Sequence, residues 1–251
     1  MNGSGSTLLH YYLEKCDAVA SLPRIEPGIA TSSEGQNHVR EFLPLPEQYD
    51  CVGVFTESSD VFGDDSQYNW DEIKKIWHRE WAGPASTSLD NLVLLEKSPP
   101  NVVRAELLQK HFPNSYFIVM VRNPYAFSEG LRRRHGPKIE PCATHWGESM
   151  KFQIRNLEIL NNVICIKYED LCDNQELVKT KIKALLPELD DLSFEGSFSG
   201  HHSLYGKKEM PIRNLNSDQI GNLGTNDIIR INNILSEYQE ELTYFDYKMM
   251  P

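Results

Sequence analysis

Long apolar runs are missing from this chain. No stretch approaches the roughly 20 residues of a membrane span, and nothing in the opening residues reads as a signal peptide. Positive charge is scarce as well: 25 Lys and Arg stand against 36 Asp and Glu, a formal net charge of −11. That balance argues against general nucleic-acid affinity, so a polyanionic ligand must be met by a few focused cations. The five cysteines, Cys16, Cys51, Cys142, Cys165 and Cys172, are odd in number and widely scattered. Such usage fits reduced thiols in a cytoplasmic setting and gives no zinc-site spacing, so no metal is expected. Internal repeats, low-complexity segments and linkers are also lacking, and a single domain over residues 1–251 is expected.

The best patterned stretch is residues 92–134. Leu92–Leu95 is a short apolar run suited to a strand buried on both faces, and Ser98, Pro99 and Pro100 stop it. Val103, Leu107 and Leu108 then recur at helical spacing until Phe112-Pro113-Asn114. Tyr116–Val121 is a second buried strand, after which Asn123 can cap a helix that has Pro124 at its first position. Strand, helix, strand makes a right-handed parallel unit whose ligand edge lies at the strands' carboxyl ends. Lys97 and Arg122 hold equivalent places there, each just past a strand. Two cations beside helix N-termini describe an anion site. The plainer reading of Arg122 is a structural pair with Glu96 or Asp170.

Upstream, Gly3, Ser4, Gly5, Ser6 and Thr7 form a glycine-rich loop running into Leu8, Leu9, Tyr12 and Leu13 at helical spacing. Such a loop offers backbone N–H groups and hydroxyls to an anion, though a frayed tail has the same composition. A Walker loop would place lysine where Ser6 stands, which counts against a nucleoside triphosphatase. A strand normally feeds a phosphate loop, so either the start is truncated, the preferred reading, or the sheet lacks its first strand.

Elsewhere, Ala18–Leu22 and Tyr49–Phe55 are possible strands, and Asp71–Trp81 is a helix with Ile73, Ile76 and Trp77 inward. The irregular region 17–91 is where an acceptor pocket is expected. Trp146, Met150, Gln153, Leu157 and Leu160 trace a helix face, and Val163–Tyr168 is a third buried strand. Asp170 or Asp173 can cap the helix after it. Residues 190–224 read as loop, and a last helix from Thr225 carries Ile228, Ile231, Leu235, Tyr238 and Leu242 inward. The four tryptophans, Trp70, Trp77, Trp81 and Trp146, read as packing residues, with Trp81 or Trp146 kept as the exceptions that could contact an acceptor. Alternation of strands and helices predicts an α/β fold: a mainly parallel central sheet flanked by helices, P-loop nucleotide-binding-like, and lacking the first strand.

In that order, NGSGSTLL, LLEKSPPN, SYFIVMVRNPYAFSEGLRRR and VICIKYEDL resemble landmarks of the sulfotransferases of Golgi and bacterial type, which use 3′-phosphoadenosine 5′-phosphosulfate (PAPS). The resemblance implies that Gly3 to Thr7 wrap the 5′-phosphosulfate, that Arg122 pairs with the 3′-phosphate, and that Lys97 sits against the transferring sulfuryl group. Two departures stand out. The family usually carries Lys or Arg immediately before the Ser-Gly of the loop, where this chain has Gly3. It also usually has Ser eight residues after the strand-end Arg, where this chain has Gly130, with Ser128 as the nearest substitute. Arg132, Arg133 and Arg134 read as complements to a helix C-terminus, Arg132 being the one kept as a possible adenosine-side contact.

The activity implied is sulfuryl transfer from PAPS to a hydroxyl or amine of a small-molecule or glycan acceptor. It is an in-line displacement that fixed donors and a lysine stabilise, with a base to take the acceptor's proton. Glu34 is the first choice of base and His38 the second. The alternatives are a weak or inactive nucleotide-binding relative on the same fold, and a P-loop kinase. Neither acceptor nor oligomeric state is legible.

Overall fold

The computed structural model describes residues 3–22, 55–83, 88–135, 138–202 and 206–251. In chain order these form α1 (Ser6–Leu13), β1 (Val19–Ser21), α2 (Ser59–Phe62), α3 (Trp70–Ala82), β2 (Val93–Leu95), α4 (Asn101–His111), β3 (Phe117–Val121), α5 (Pro124–His135) and α6 (Ile139–Ile159). There follow β4 (Val163–Lys167), α7 (Tyr168–Asp173), α8 (Gln175–Leu185), β5 (Ser197–His202), β6 (Gly206–Pro211), α9 (Asn216–Ile220), α10 (Thr225–Leu235) and α11 (Gln239–Tyr244). The fold is α/β with parallel strand pairs flanked by helices.

β3 and β4 pair in parallel from Phe117↔Val163 to Val121↔Lys167. Alternation along β3 sends its side chains to two cores. Val119 and Val121 join Trp146 and Met150 of α6 and Ile231 and Leu235 of α10. Met120 joins Leu9 and Tyr12 of α1 and Val178 and Ile182 of α8. Helices therefore cover both faces, the condition under which a parallel sheet is stable. Trp146, fully buried, also fixes the strand end by donating its indole N–H to the Arg122 carbonyl at 2.8 Å.

The other pair, β1–β2, is parallel from Val19↔Val93 to Ser21↔Leu95. β2 is not buried on both faces as the sequence predicts: Val93 and Leu95 are half-buried and Leu94 is 37% exposed. Among the described residues β1 is its one strand partner. A cavity of about 940 Å³ separates the two pairs, walled by β2 and β3 and bordered by Ser6, Leu9 and Lys97. Among the described residues the two pairs are not hydrogen-bonded to each other.

Local signals mostly hold. Asn123 Oδ1 accepts the N–H groups of Tyr125 and Ala126 at 3.0 and 3.2 Å, so α5 starts at Pro124 as predicted. Ile73 and Trp77 of α3 are buried. The cap of α8 falls on Asn174 rather than on Asp170 or Asp173, because α7 takes up the turn first. Two segments differ more. Residues 190–224 contain the antiparallel hairpin β5–β6 and α9, hidden in the sequence by their polar composition. The last predicted helix is two, α10 and α11, broken at 236–238, where Ser236 Oγ donates to the Asn233 carbonyl at 2.7 Å. Tyr238 is thereby brought against Gly147, where an added Cβ would lie 2.5 Å from its ring.

Candidate active site

Gly3 and Gly5 both have positive φ, 74° and 87°, a region that strains any residue with a Cβ. Neither has room for one: a Cβ would lie 2.6 Å from Arg134 Nη2 at Gly3, and 2.7 Å from Tyr168 Cδ2 at Gly5. Ser4 between them is fully buried. Helix α1 follows, its first backbone bond running from Leu9 N–H to the Gly5 carbonyl at 3.0 Å. No side chain caps its N-terminus. The amides of Ser6 and Thr7 lie at the positive end of the helix dipole, where the first turn has no intrahelical acceptors.

Lys97 arrives from the end of β2. Its Nζ donates to Thr7 Oγ1 at 3.3 Å, so the strand-end cation meets the first turn of α1 across 90 residues of sequence. Next to it, Glu96 Oε2 accepts from Asn101 Nδ2, while Oε1 is buried and without a hydrogen-bond partner among the described residues. Burial pushes the Glu96 carboxyl up to about 7, against the pull of Arg104 and Lys97. At neutral pH this carboxyl only partly offsets the lysine's charge.

Arg122 arrives from β3 and is 6% exposed. Nη1 donates to the Gly3 carbonyl at 2.8 Å, Nε to Asn216 Oδ1 at 2.8 Å, and Nη2 to Gln219 Oε1. The guanidinium carbon lies 3.8 Å from the centre of the Tyr168 ring. Asn216 in turn donates to Glu169 Oε1 at 2.6 Å, which links the buried cation to a carboxylate through an amide. The plain alternative, direct pairing with Glu96 or Asp170, is not what forms; amides, a loop carbonyl and an aromatic face hold Arg122.

Gly130 stands close to this cluster: a Cβ there would lie 2.5 Å from Gln219 Nε2, so a side chain at 130 would displace that amide. Ser128 is fully buried, and its hydroxyl has no partner among the described residues. The three consecutive arginines separate in space. Arg132 pairs with Asp227 at 2.8 Å and Arg133 with Glu129 at 2.7 Å. Arg134, exposed, lies against Gly3 instead, with its Nε donating to the Gly130 carbonyl at 3.0 Å.

Gly3, Ser4, Gly5, Ser6, Thr7, Lys97 and Arg122 are thus brought together, with Gly130 against the Gln219 amide that holds Arg122 and Ser128 buried on the same helix as Gly130. Arg134, Asn216 and Gln219 join them without having been picked out from the sequence as site residues. The base candidates Glu34 and His38 lie outside the described residues. Among those residues no group of three or more His, Cys, Asp or Glu could hold a metal ion, and no helix is long and apolar enough to cross a membrane. Chemically, the arrangement is a backbone cradle with cations on several sides, suited to an anion carrying several oxygens.

The family model described as the sulfotransferase family matches residues 1–187, and the chain belongs to that family. No curated protein matches significantly. Among solved structures, the sulfotransferase domain from the curacin biosynthetic pathway is similar in fold, with a TM-score of 0.54 at 20% identity. The match covers 98% of this chain and 95% of that domain.

Proposed function

We propose that this chain transfers a sulfuryl group from PAPS to a hydroxyl or amine of a small-molecule or glycan acceptor. The observation that carries the reading is the Lys97–Thr7 contact of 3.3 Å, which puts a strand-end cation at an uncapped helix start behind a glycine loop. The donor's chemistry fits these residues. Its 5′ end needs several hydrogen-bond donors and positive charge, which the loop amides, the Ser6 and Thr7 hydroxyls and Lys97 offer. Its 3′-phosphate needs a second cation. Arg122 uses three of its five N–H groups in protein bonds among the described residues, and the buried Ser128 hydroxyl is unspent.

When bound, PAPS supplies a sulfuryl group already activated by its phosphate leaving group. The chain's part is to hold charge. Lys97, held at the start of α1 by Thr7, would stabilise the negative charge that grows during transfer with little reorganisation. A base from the acceptor side takes the proton, the proposed residues being Glu34 and, second, His38. No resident metal is assigned a role.

The test is calorimetry with 3′-phosphoadenosine 5′-phosphate against ATP, followed by transfer of labelled sulfate to a panel of hydroxyl and amine acceptors. Tight bisphosphate binding with weak ATP binding is expected. Tight ATP binding with no response to the bisphosphate would end the sulfotransferase assignment of this site.

A further inference from the structure

Arg132, Arg133 and Arg134 follow one another on the last turns of α5, and the first two are spent on Asp227 and Glu129. Arg134 is placed otherwise. Its Nε is anchored to the Gly130 carbonyl, one turn back on its own helix, and its Nη2 lies 2.6 Å from where a Cβ of residue 3 would stand. The guanidinium carbon is 3.7 Å from the same point. The guanidinium therefore occupies the space that a side chain at position 3 would need.

The same loop residue meets a second guanidinium, because Arg122 Nη1 bonds the Gly3 carbonyl at 2.8 Å. Two cations against one residue repel each other. The surrounding protein first, and then the charges of Arg122 and Arg133, lower the Arg134 pKa to about 10. Arg122 is held by buried hydrogen bonds, whereas among the described residues Arg134 makes a single bond, to its own helix, and has its forked end at the loop. A fork of N–H donors held beside a glycine loop and a helix start is the geometry that oxyanions select.

We propose that Arg134 is a donor-binding residue that contacts the 5′-phosphate end of the nucleotide. From α5 it supplies the positive charge that related loops carry on the residue before Ser-Gly, where this chain has Gly3. The inference rests on the sulfotransferase reading above and names a residue for its 5′ subsite. It also accounts for Gly3: with the cation delivered from α5, the loop position must stay without a side chain.

The experiment compares two probes on the full chain: adenosine 3′,5′-bisphosphate and adenosine 3′-monophosphate, which lacks the 5′ group. Calorimetry on the wild type should show at least about tenfold tighter binding of the bisphosphate. Arg134→Ala should lose about 10- to 100-fold in bisphosphate affinity while leaving 3′-monophosphate affinity unchanged. A merely structural role at the helix end would move both probes together or neither. Arg134→Gln keeps a polar stem without charge and serves if the alanine variant melts early. Full retention of the bisphosphate preference in a folded Arg134→Ala or Arg134→Gln protein overturns the inference, leaving the sulfotransferase reading intact. A wild-type chain that binds neither probe overturns that reading and this one with it.

Discussion

Arg122 and Lys97 hold matching places, each just past the end of a parallel strand, yet they are kept in opposite ways. Arg122 is 6% exposed, bonded to a loop carbonyl and two amides, stacked on Tyr168 and connected through Asn216 to Glu169. Lys97 is half-buried, touches Thr7 at 3.3 Å and sits beside a carboxyl whose pKa is raised to about 7. One cation is held by several buried bonds and a ring face; the other meets the first turn of α1. The difference suggests a division of labour at the same sheet edge. On the proposed function, Arg122 would both secure the loop's shape and hold the donor, and Lys97 would serve the charge that changes during reaction.

Removing Arg122 is expected to have the largest effect, because it breaks several buried bonds together. Arg122→Ala leaves Asn216, Gln219, the Gly3 carbonyl and the Tyr168 face without their partner. A loss of about 3 kcal/mol is expected, on the order of 10 °C in melting temperature, together with weaker bisphosphate binding. Thermal denaturation with calorimetry checks this. An unchanged melting temperature would mean that the arginine is not structural, and the contrast with Lys97 would fail.

Lys97→Ala should do the reverse. Turnover in the labelled-sulfate assay is expected to fall about 100-fold, the scale of one lost preorganised donor, while melting temperature and bisphosphate affinity stay close to wild type. Equal losses in affinity and turnover would show that Lys97 grips the nucleotide uniformly and does not act mainly on the developing charge.

A third variant separates the two ends directly. Gly5→Ala forces a Cβ into a φ of 87° and within 2.7 Å of Tyr168 Cδ2. The backbone strain amounts to about 1–2 kcal/mol. Tyr168 also supports Arg122, so the displaced ring should disturb the Arg122 end more than Lys97. A drop in bisphosphate affinity larger than the drop in turnover at saturating donor is the expected result, and the opposite ranking counts against the contrast.

What could be read beforehand follows the same line. Lys97 and Arg122 are legible because apolar runs mark strands, and the residue after a parallel strand lies on the ligand edge whatever its partners. Asn123-Pro124 fixes the start of α5 by local chemistry alone. Arg134 is not legible: three arginines in a row point about 100° apart around a helix, and the choice between them depends on how α5 is rotated against a loop more than a hundred residues earlier. Gln219 reaches Arg122 across 97 residues from a short polar helix inside what reads as loop. The one forewarning is compositional, since Gly3 and Gly130 both lack side chains where related sequences carry polar ones. The hairpin β5–β6 escapes for a similar reason, since GKKEMP has no apolar alternation.

The smallest effect concerns the carboxyl beside Lys97. Glu96 has its pKa raised by burial to about 7, against 4.5 for a free side chain. Below pH 4.5 it is protonated whether the chain is folded or not. Between 4.5 and 7 the unfolded chain has released this proton while the folded chain keeps it, so the stability associated with Glu96 is lost as pH rises through that window. Glu96→Gln removes this dependence and should keep one bond toward Asn101. The variant should match the wild type near pH 4.5 and exceed it at pH 8 by on the order of 1 kcal/mol, allowing for water reaching the adjoining cavity. His145, whose pKa burial lowers to about 3, destabilises both proteins as pH falls below 6.5 and cancels in the difference. Melting curves of the two proteins at pH 5 and pH 8 decide the matter. Parallel profiles would mean that Glu96 is already ionised in the folded chain, so that a carboxylate beside Lys97 offsets its charge and the contrast with Arg122 weakens.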